Sequence, residues 1–135
     1  MRRMREIKFR AWYTKSTCWL YGEIDFNHEE GKNKLNLSAF FRRMSDGFIE
    51  RKTLGQFTGL KDKNGVDIYE GDIVSQKLNC LWDEGRHNLE VRFNHDQFQT
   101  GNVKSYSSLY SAVQSFDAEV IGNIHQHGEL LNENT

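Results

Sequence analysis

The sequence contains no proline and only two cysteines, Cys18 and Cys80, among its 135 residues. Without proline, tight turns must be built from Gly, Asn, Asp and Ser. Two cysteines without a Cys-x-x-Cys spacing are too few for a disulfide scaffold or a cysteine-rich zinc module. Each sits beside a large apolar residue, in Cys18-Trp19 and Cys80-Leu81-Trp82, the setting of a buried, reduced thiol. No apolar run approaches the ~18–20 residues of a membrane helix. The basic stretch MRRMREIKFRAW at the N-terminus lacks the apolar centre of a secretory signal. A cytoplasmic protein is the expectation. Also missing are the glycine-rich phosphate loops GxxxxGK[ST] and GxGxxG and the nucleophile elbow GxSxG.

What is present is aromatic and evenly charged. Nine Phe, five Tyr and three Trp supply large core side chains, which excludes the low-hydrophobicity, high-charge class of disordered chains. The length suits one domain burying roughly two-thirds of its unfolded surface. The formal net charge of −1 conceals a division: residues 1–52 carry 12 Lys and Arg against 7 Asp and Glu, residues 53–135 carry 6 against 12. Such asymmetry marks either a nucleic-acid-facing half or surfaces of complementary potential, within a fold or between copies.

Most apolar residues alternate, the period of half-buried strands. EIKFRAWYT places Ile7, Phe9 and Ala11 on one face, and WLYGEIDF pairs with it across Lys15-Ser16-Thr17. KLNLSAFFRRM alternates through Leu35, Leu37, Ala39 and Phe41, and Ser45-Asp46-Gly47 turns the chain into FIERKT. KLNCLW and LEVRF alternate on either side of DEGRHN, which reads as a hairpin loop. AEVIGNIHQ reads as the last strand. Only SYSSLYSAVQSF has helical spacing, at Leu109, Val113 and Phe116. Short, regularly spaced strands separated by turn residues predict an all-β barrel or sandwich, a single domain over residues 1–131 with a frayed tail at 132–135.

The most distinctive segment is FTGLKDKNGVDIYEGDIV, residues 57–74. Asn64-Gly65 predicts a type I′ hairpin turn, whose two central residues both need positive φ. Lys61, Asp62 and Lys63 are expected at its solvated tip. Glu70-Gly71 starts a second turn, with Gly71 in an awkward backbone conformation and Asp72 bonding nearby amides. The segment reads as scaffold rather than site.

Together, REIKFRAW, QFTGLKDKNGVDIYEGDIV and EVIGNIHQHGELL resemble the YopX-like proteins of bacteriophages and prophages, in order and across nearly the whole chain. The resemblance implies an SH3-like small β-barrel core, to which the strand pattern adds an N-terminal β-meander and at most one short helix. It implies a phage or prophage origin, no established activity and no catalytic residues or cofactor. His125 to Gly128 stand where such proteins tend to carry Tyr, an acidic residue, Asn and Pro.

Several residues are candidates for chemistry or contact. His125 and His127, two apart, would share a strand face and could both reach one metal ion, though a closed zinc site needs about four ligands. Asp67, Glu70 and Asp72 are turn acids better suited to binding backbone amides than to catalysis. Arg2, Arg3, Arg5, Lys8 and Arg10 interleave with Phe9, Trp12 and Trp19, the basic and aromatic set that single-strand nucleic-acid binding requires. Arg2, Arg3, Arg5, Arg10, Arg42 and Arg43 are the arginines expected to matter in that reading. Against that, Trp12, Trp19 and Tyr69 are expected as exposed anchors of a protein interface. REIKFRAW is expected as an edge strand able to recruit a partner or a second copy. The expectation is a non-catalytic module binding a host or phage protein, with nucleic-acid binding as the alternative and homo-oligomerisation possible.

Overall fold

A computed structural model describes residues 7–23, 34–45, 47–77, 85–94, 97–101 and 106–134, without the side chains of 106, 107 and 132–134. The chain divides into two compact units, Met1–Gly59 and Leu60–Thr135. Because residues 53–59 carry no charge, the structural boundary coincides with the charge division: the first unit carries +5 and the second −6.

In the first unit, β1 (Lys8–Tyr13) and β2 (Cys18–Glu23) form an antiparallel hairpin from Lys8↔Glu23 to Tyr13↔Cys18. Its turn includes Thr17 at φ 48° and is tied down by the Thr14 N–H, which donates to the Phe48 carbonyl at 2.7 Å. The short β3 (Lys34–Asn36) runs parallel to β2, and β4 (Ile49–Lys61) runs antiparallel to β1. Thus β1 lies between two partners, so Lys8–Trp12 of REIKFRAW belong to an interior strand rather than the expected edge. The parallel β3 and the return of β4 to β1 also replace a simple meander. One face of β1 and β2, carrying Ala11, Tyr13 and Leu20, makes a core with Phe40 and Ile49.

Residues 37–44 form helix α1 (Leu37–Met44) instead of the expected strand. The alternation through Leu35 to Phe41 coexists with Leu37, Phe40, Phe41 and Met44 at i, i+3, i+4 and i+7, which is helical spacing. Capping decides between them: Asn36 Oδ1 accepts the Ala39 N–H at 2.9 Å, satisfying a donor left free at a helix start. Arg42 and Arg43 occupy the last turn, where positive charge complements the helix dipole. Phe40 is wholly buried, and it packs so closely on Gly22 that a Cβ there would lie 2.6 Å from its ring.

The second unit starts with the end of β4 and continues through β5 (Asp67–Tyr69), β6 (Asp72–Lys77), β7 (Arg86–Asn94), β8 (Gln97–Gly101) and β9 (Tyr106–Ser108). Helix α2 (Leu109–Ser115), β10 (Glu119–Asn123) and a 3₁₀ helix at Gly128–Asn134 complete it. β6, β7 and β8 form an antiparallel meander, and β10 returns to pair with β6. Ile68, Val74, Leu89, Val91, Leu109, Ala112 and Ala118 form its core. Arg86, His87 and Asn88, expected in a loop, belong to β7. The last strand ends at Asn123, three residues short of the expected AEVIGNIHQ. The expected strand KLNCLW lies outside the described residues after Lys77.

The chain is mostly β, as its alternation predicts, but α1 and the 3₁₀ helix come in addition to α2, the one short helix expected. The strand orders are β3-β2-β1-β4-β5 and β10-β6-β7-β8-β9. Among the described residues, neither sheet closes into a barrel. At the β10 edge the reason is visible. The Val120 N–H donates to Asp62 Oδ2 at 2.8 Å and the Asn123 N–H to His127 Nδ1 at 3.2 Å, so these donors are not offered to a further strand.

Candidate functional site

The sheet of the first unit has two unlike faces. In an antiparallel pair, opposed residues share a face, so the pairing Trp12↔Trp19 places both indoles opposite the core side that α1 covers. Both are half-buried, with ring centroids 5.4 Å apart at an interplanar angle of 83°, a favourable edge-to-face arrangement. The Arg10 guanidinium lies 4.3 Å from the Trp19 ring centroid, and the Lys8 ammonium 4.5 Å from that of buried Phe57. Cations and aromatic faces therefore alternate across three strands.

A local irregularity fixes this surface. Arg10 pairs with Gly55 and Trp12 with Glu50, so four residues of β4 stand against Ala11 alone. The Trp12 N–H is served at this bulge by Thr53 Oγ1 at 2.8 Å, and the Thr53 hydroxyl in turn donates to the Glu50 carbonyl. A bulge re-aims side chains without ending the sheet.

The predicted site residues distribute unevenly. Trp12 and Trp19 come together. Tyr69, expected as an exposed anchor, is only 4 % exposed: it ends β5, and its N–H donates to Asp72 Oδ2 at 2.8 Å. Arg10 is 7 % exposed and spent on Trp19 rather than presented to a phosphate. Arg42 and Arg43 are exposed, but on α1, against the other face of the sheet from the Trp pair. Arg2, Arg3 and Arg5 lie outside the described residues.

His125 and His127 follow the end of β10 instead of sharing a strand face. Asn123 Oδ1 accepts the N–H groups of His125 and Gln126, both at 3.0 Å, turning the chain there. The rings then settle over different backbone. A Cβ on Gly71 would lie 3.3 Å from His125 Nε2, and one on Gly122 would lie 2.7 Å from His127 Nδ1. His127 Nδ1 also accepts the Asn123 N–H, and among the described residues no group of three or more His, Cys, Asp or Glu is placed to hold a metal ion.

The central hairpin differs from the expected turn. Among the described residues, Thr17 and Asp117 are the non-glycine residues with positive φ, whereas Gly65 has φ 81°. Asn64 therefore does not adopt the type I′ geometry. Instead the Gly65 N–H donates to the Asp62 carbonyl at 3.0 Å, and Asp62 N–H and Val66 carbonyl close the loop at 2.9 Å. This is a β-turn followed by a left-handed glycine, the three-residue hairpin alternative.

Asp62 is not a solvated tip residue either. It is 6 % exposed, and Oδ1 accepts from the Asn64 and Val66 N–H groups at 2.8 and 2.9 Å while Oδ2 holds Val120. Around it, Lys63 and Arg86 reach Asp117 Oδ2 at 3.2 and 2.9 Å, and Asn64 Nδ2 donates to Glu119 Oε1 at 3.1 Å. The Arg86 guanidinium first, and the Lys63 ammonium second, hold the Asp117 carboxyl below its usual range. This junction had only one sequence signal, an Asp two residues before Asn-Gly. Asp117, Glu119 and Val120, which it engages, lie more than fifty residues further along the chain.

These features define a mostly-β chain of two open-sheet units, with a cation–aromatic surface on one and a clamped hairpin on the other. The family described as YopX protein matches residues 8–132, and the chain belongs to that family. Among solved structures, it is similar to protein EF1440 from Enterococcus faecalis, with 25% sequence identity and a TM-score of 0.53 over 93% of this chain and 97% of that one. No curated protein matched the sequence. Among the described residues, no helix is long and apolar enough to cross a membrane.

Proposed function

We propose that this chain is a non-catalytic interaction module, encoded by a bacteriophage or prophage and acting in the cytoplasm of the bacterial host, that binds a host or phage protein. One observation carries the reading: Trp12 and Trp19 form a half-buried pair on the sheet face opposite α1, held by Arg10 and by the Thr53 bulge. Pre-positioned Trp residues with an Arg beside them are the side chains that concentrate binding energy at protein interfaces. The phage origin rests on family membership alone. A non-catalytic role is supported by the use of the central acids, since Asp62 and Asp72 are both committed to backbone amides. In this reading the second unit is a variant of the SH3-like barrel, a view favoured by the meander β6–β8 followed by α2 and the return of β10 to β6. Self-association is compatible with the opposite charges of the two units.

The nucleic-acid alternative loses its strongest argument, because Arg10 is buried and Arg42 and Arg43 lie across the sheet from the Trp pair. The test is affinity capture from host lysate with the tagged chain and with Trp19→Ala, after circular dichroism confirms that the variant is folded. A protein retained by the parent chain and lost with the variant is the expected result. Capture unaffected by the substitution, or salt-sensitive binding of labelled single-stranded DNA in its place, refutes the proposal.

A further inference from the structure

Asn64 and Gly65 form the sequence's only Asn-Gly pair, and both are exposed at the hairpin tip. Glycine after asparagine lets the next main-chain nitrogen approach the carboxamide without obstruction by a Cβ. The Gly65 nitrogen forms a bond to Asn64 Cγ, its proton goes to the departing side-chain nitrogen, and ammonia leaves. Water then opens the resulting five-membered imide at either carbonyl, giving aspartate or isoaspartate. Water is the only co-reactant, and nothing is oxidised or reduced.

The native tip holds the attacking nitrogen and the carboxamide it must reach in other hydrogen bonds. The Gly65 N–H donates to the Asp62 carbonyl at 3.0 Å, and the Asn64 carboxamide nitrogen donates to Glu119 Oε1 at 3.1 Å. The Asn64 N–H is bound as well, to Asp62 Oδ1 at 2.8 Å. Reaction must await opening of the tip, so its rate follows the open population.

The product does not fit the place it came from. An aspartate at 64 sets a carboxylate against Glu119 where a donor stood. An isoaspartate adds a methylene to the main chain between Asn64 and Gly65, displacing the Val66 N–H from Asp62 Oδ1. Either product loosens the carboxylate that also holds the Val120 N–H at the β10 edge.

We propose that Asn64 is a modification site at which deamidation, restrained by the fold, unlocks the hairpin from β10 and frees an edge-strand donor. The test incubates the full chain at mildly alkaline pH, native and in concentrated urea, and follows residue 64 by peptide mass mapping. Conversion at least about tenfold slower in the native chain is expected, with Glu119→Ala, which removes the half-buried acceptor of the Asn64 carboxamide together with its ion pair to Lys63, converting faster than the parent. Amide exchange at Val120 in Asn64→Asp should be faster than in the parent. Equal rates in native buffer and urea, no conversion at residue 64 in urea, or unchanged Val120 exchange overturns the proposal.

Discussion

Replacing Asp62 by alanine removes one carboxylate that serves three main-chain donors: Asn64, Val66 and Val120. A hydrogen bond to a charged group contributes about 1.5–3 kcal/mol, but the three are not equal here. Asn64 and Val66 lie at an exposed tip, where water replaces much of what the carboxylate supplied. Val120 is partly buried and on a sheet edge, so its loss is less well compensated. The expected cost is about 2–4 kcal/mol. Asp62→Asn should cost about 1–2 kcal/mol. Its carboxamide oxygen can still serve Asn64 and Val66, but the NH₂ group then faces the Val120 N–H, donor against donor. Urea denaturation by circular dichroism reads the total, with the slope unchanged if only stability has moved. Amide exchange locates the effect at Val120. A loss from alanine below about 1 kcal/mol, or asparagine as costly as alanine, would show that the carboxylate does not hold the hairpin to β10.

Gly22→Ala places a Cβ 2.6 Å from the wholly buried Phe40 ring and should destabilise by about 1–3 kcal/mol through overpacking; combination with Phe40→Leu should recover part of this in a double-mutant cycle. Asn36→Ala removes the α1 cap and should cost about 1 kcal/mol, measured by chemical denaturation. Asp117 has a depressed carboxyl in the folded state, so its ion pairs are fully stabilising above the ordinary aspartate range and are lost as pH falls through the lowered value. Asp117→Asn, which tolerates the left-handed backbone at φ 57°, should therefore flatten the acid limb of the stability–pH curve relative to the parent chain.

Strand character was legible wherever one face of a sheet is buried, because burial imposes a period of two. Ile7-to-Tyr13 and Trp19-to-Glu23 show this. So was α2, whose Leu109 and Ala112 face the core and whose Ser108 caps the start. At α1 two periodicities were superimposed in one segment, and alternation alone could not separate them. The Asn36 side chain and the close contact of Phe40 with Gly22 did. Site residues were harder to read. Exposure of an aromatic depends on neighbours distant in sequence, so Trp12 and Trp19 could be paired by register while Tyr69 could not be recognised as buried. The histidines went astray for a related reason: sharing a face requires the strand to continue, and Asn123 ends it.

From composition and order alone came the mostly-β class, the β1–β2 hairpin, the turns at Gly65 and Gly71 and the family, since each depends on contacts a few residues apart or on the order of characteristic segments. Tertiary structure decided which strand is interior, where the arginines lie relative to the Trp pair, and that Asp62 works as a clamp rather than a solvated charge. Those outcomes depend on pairings across forty to sixty residues, as between Trp12 and Thr53 or Asp62 and Val120. Local propensity carries no information about such distant partners, because the donor or acceptor that commits a side chain exists only once the chain has folded back upon itself.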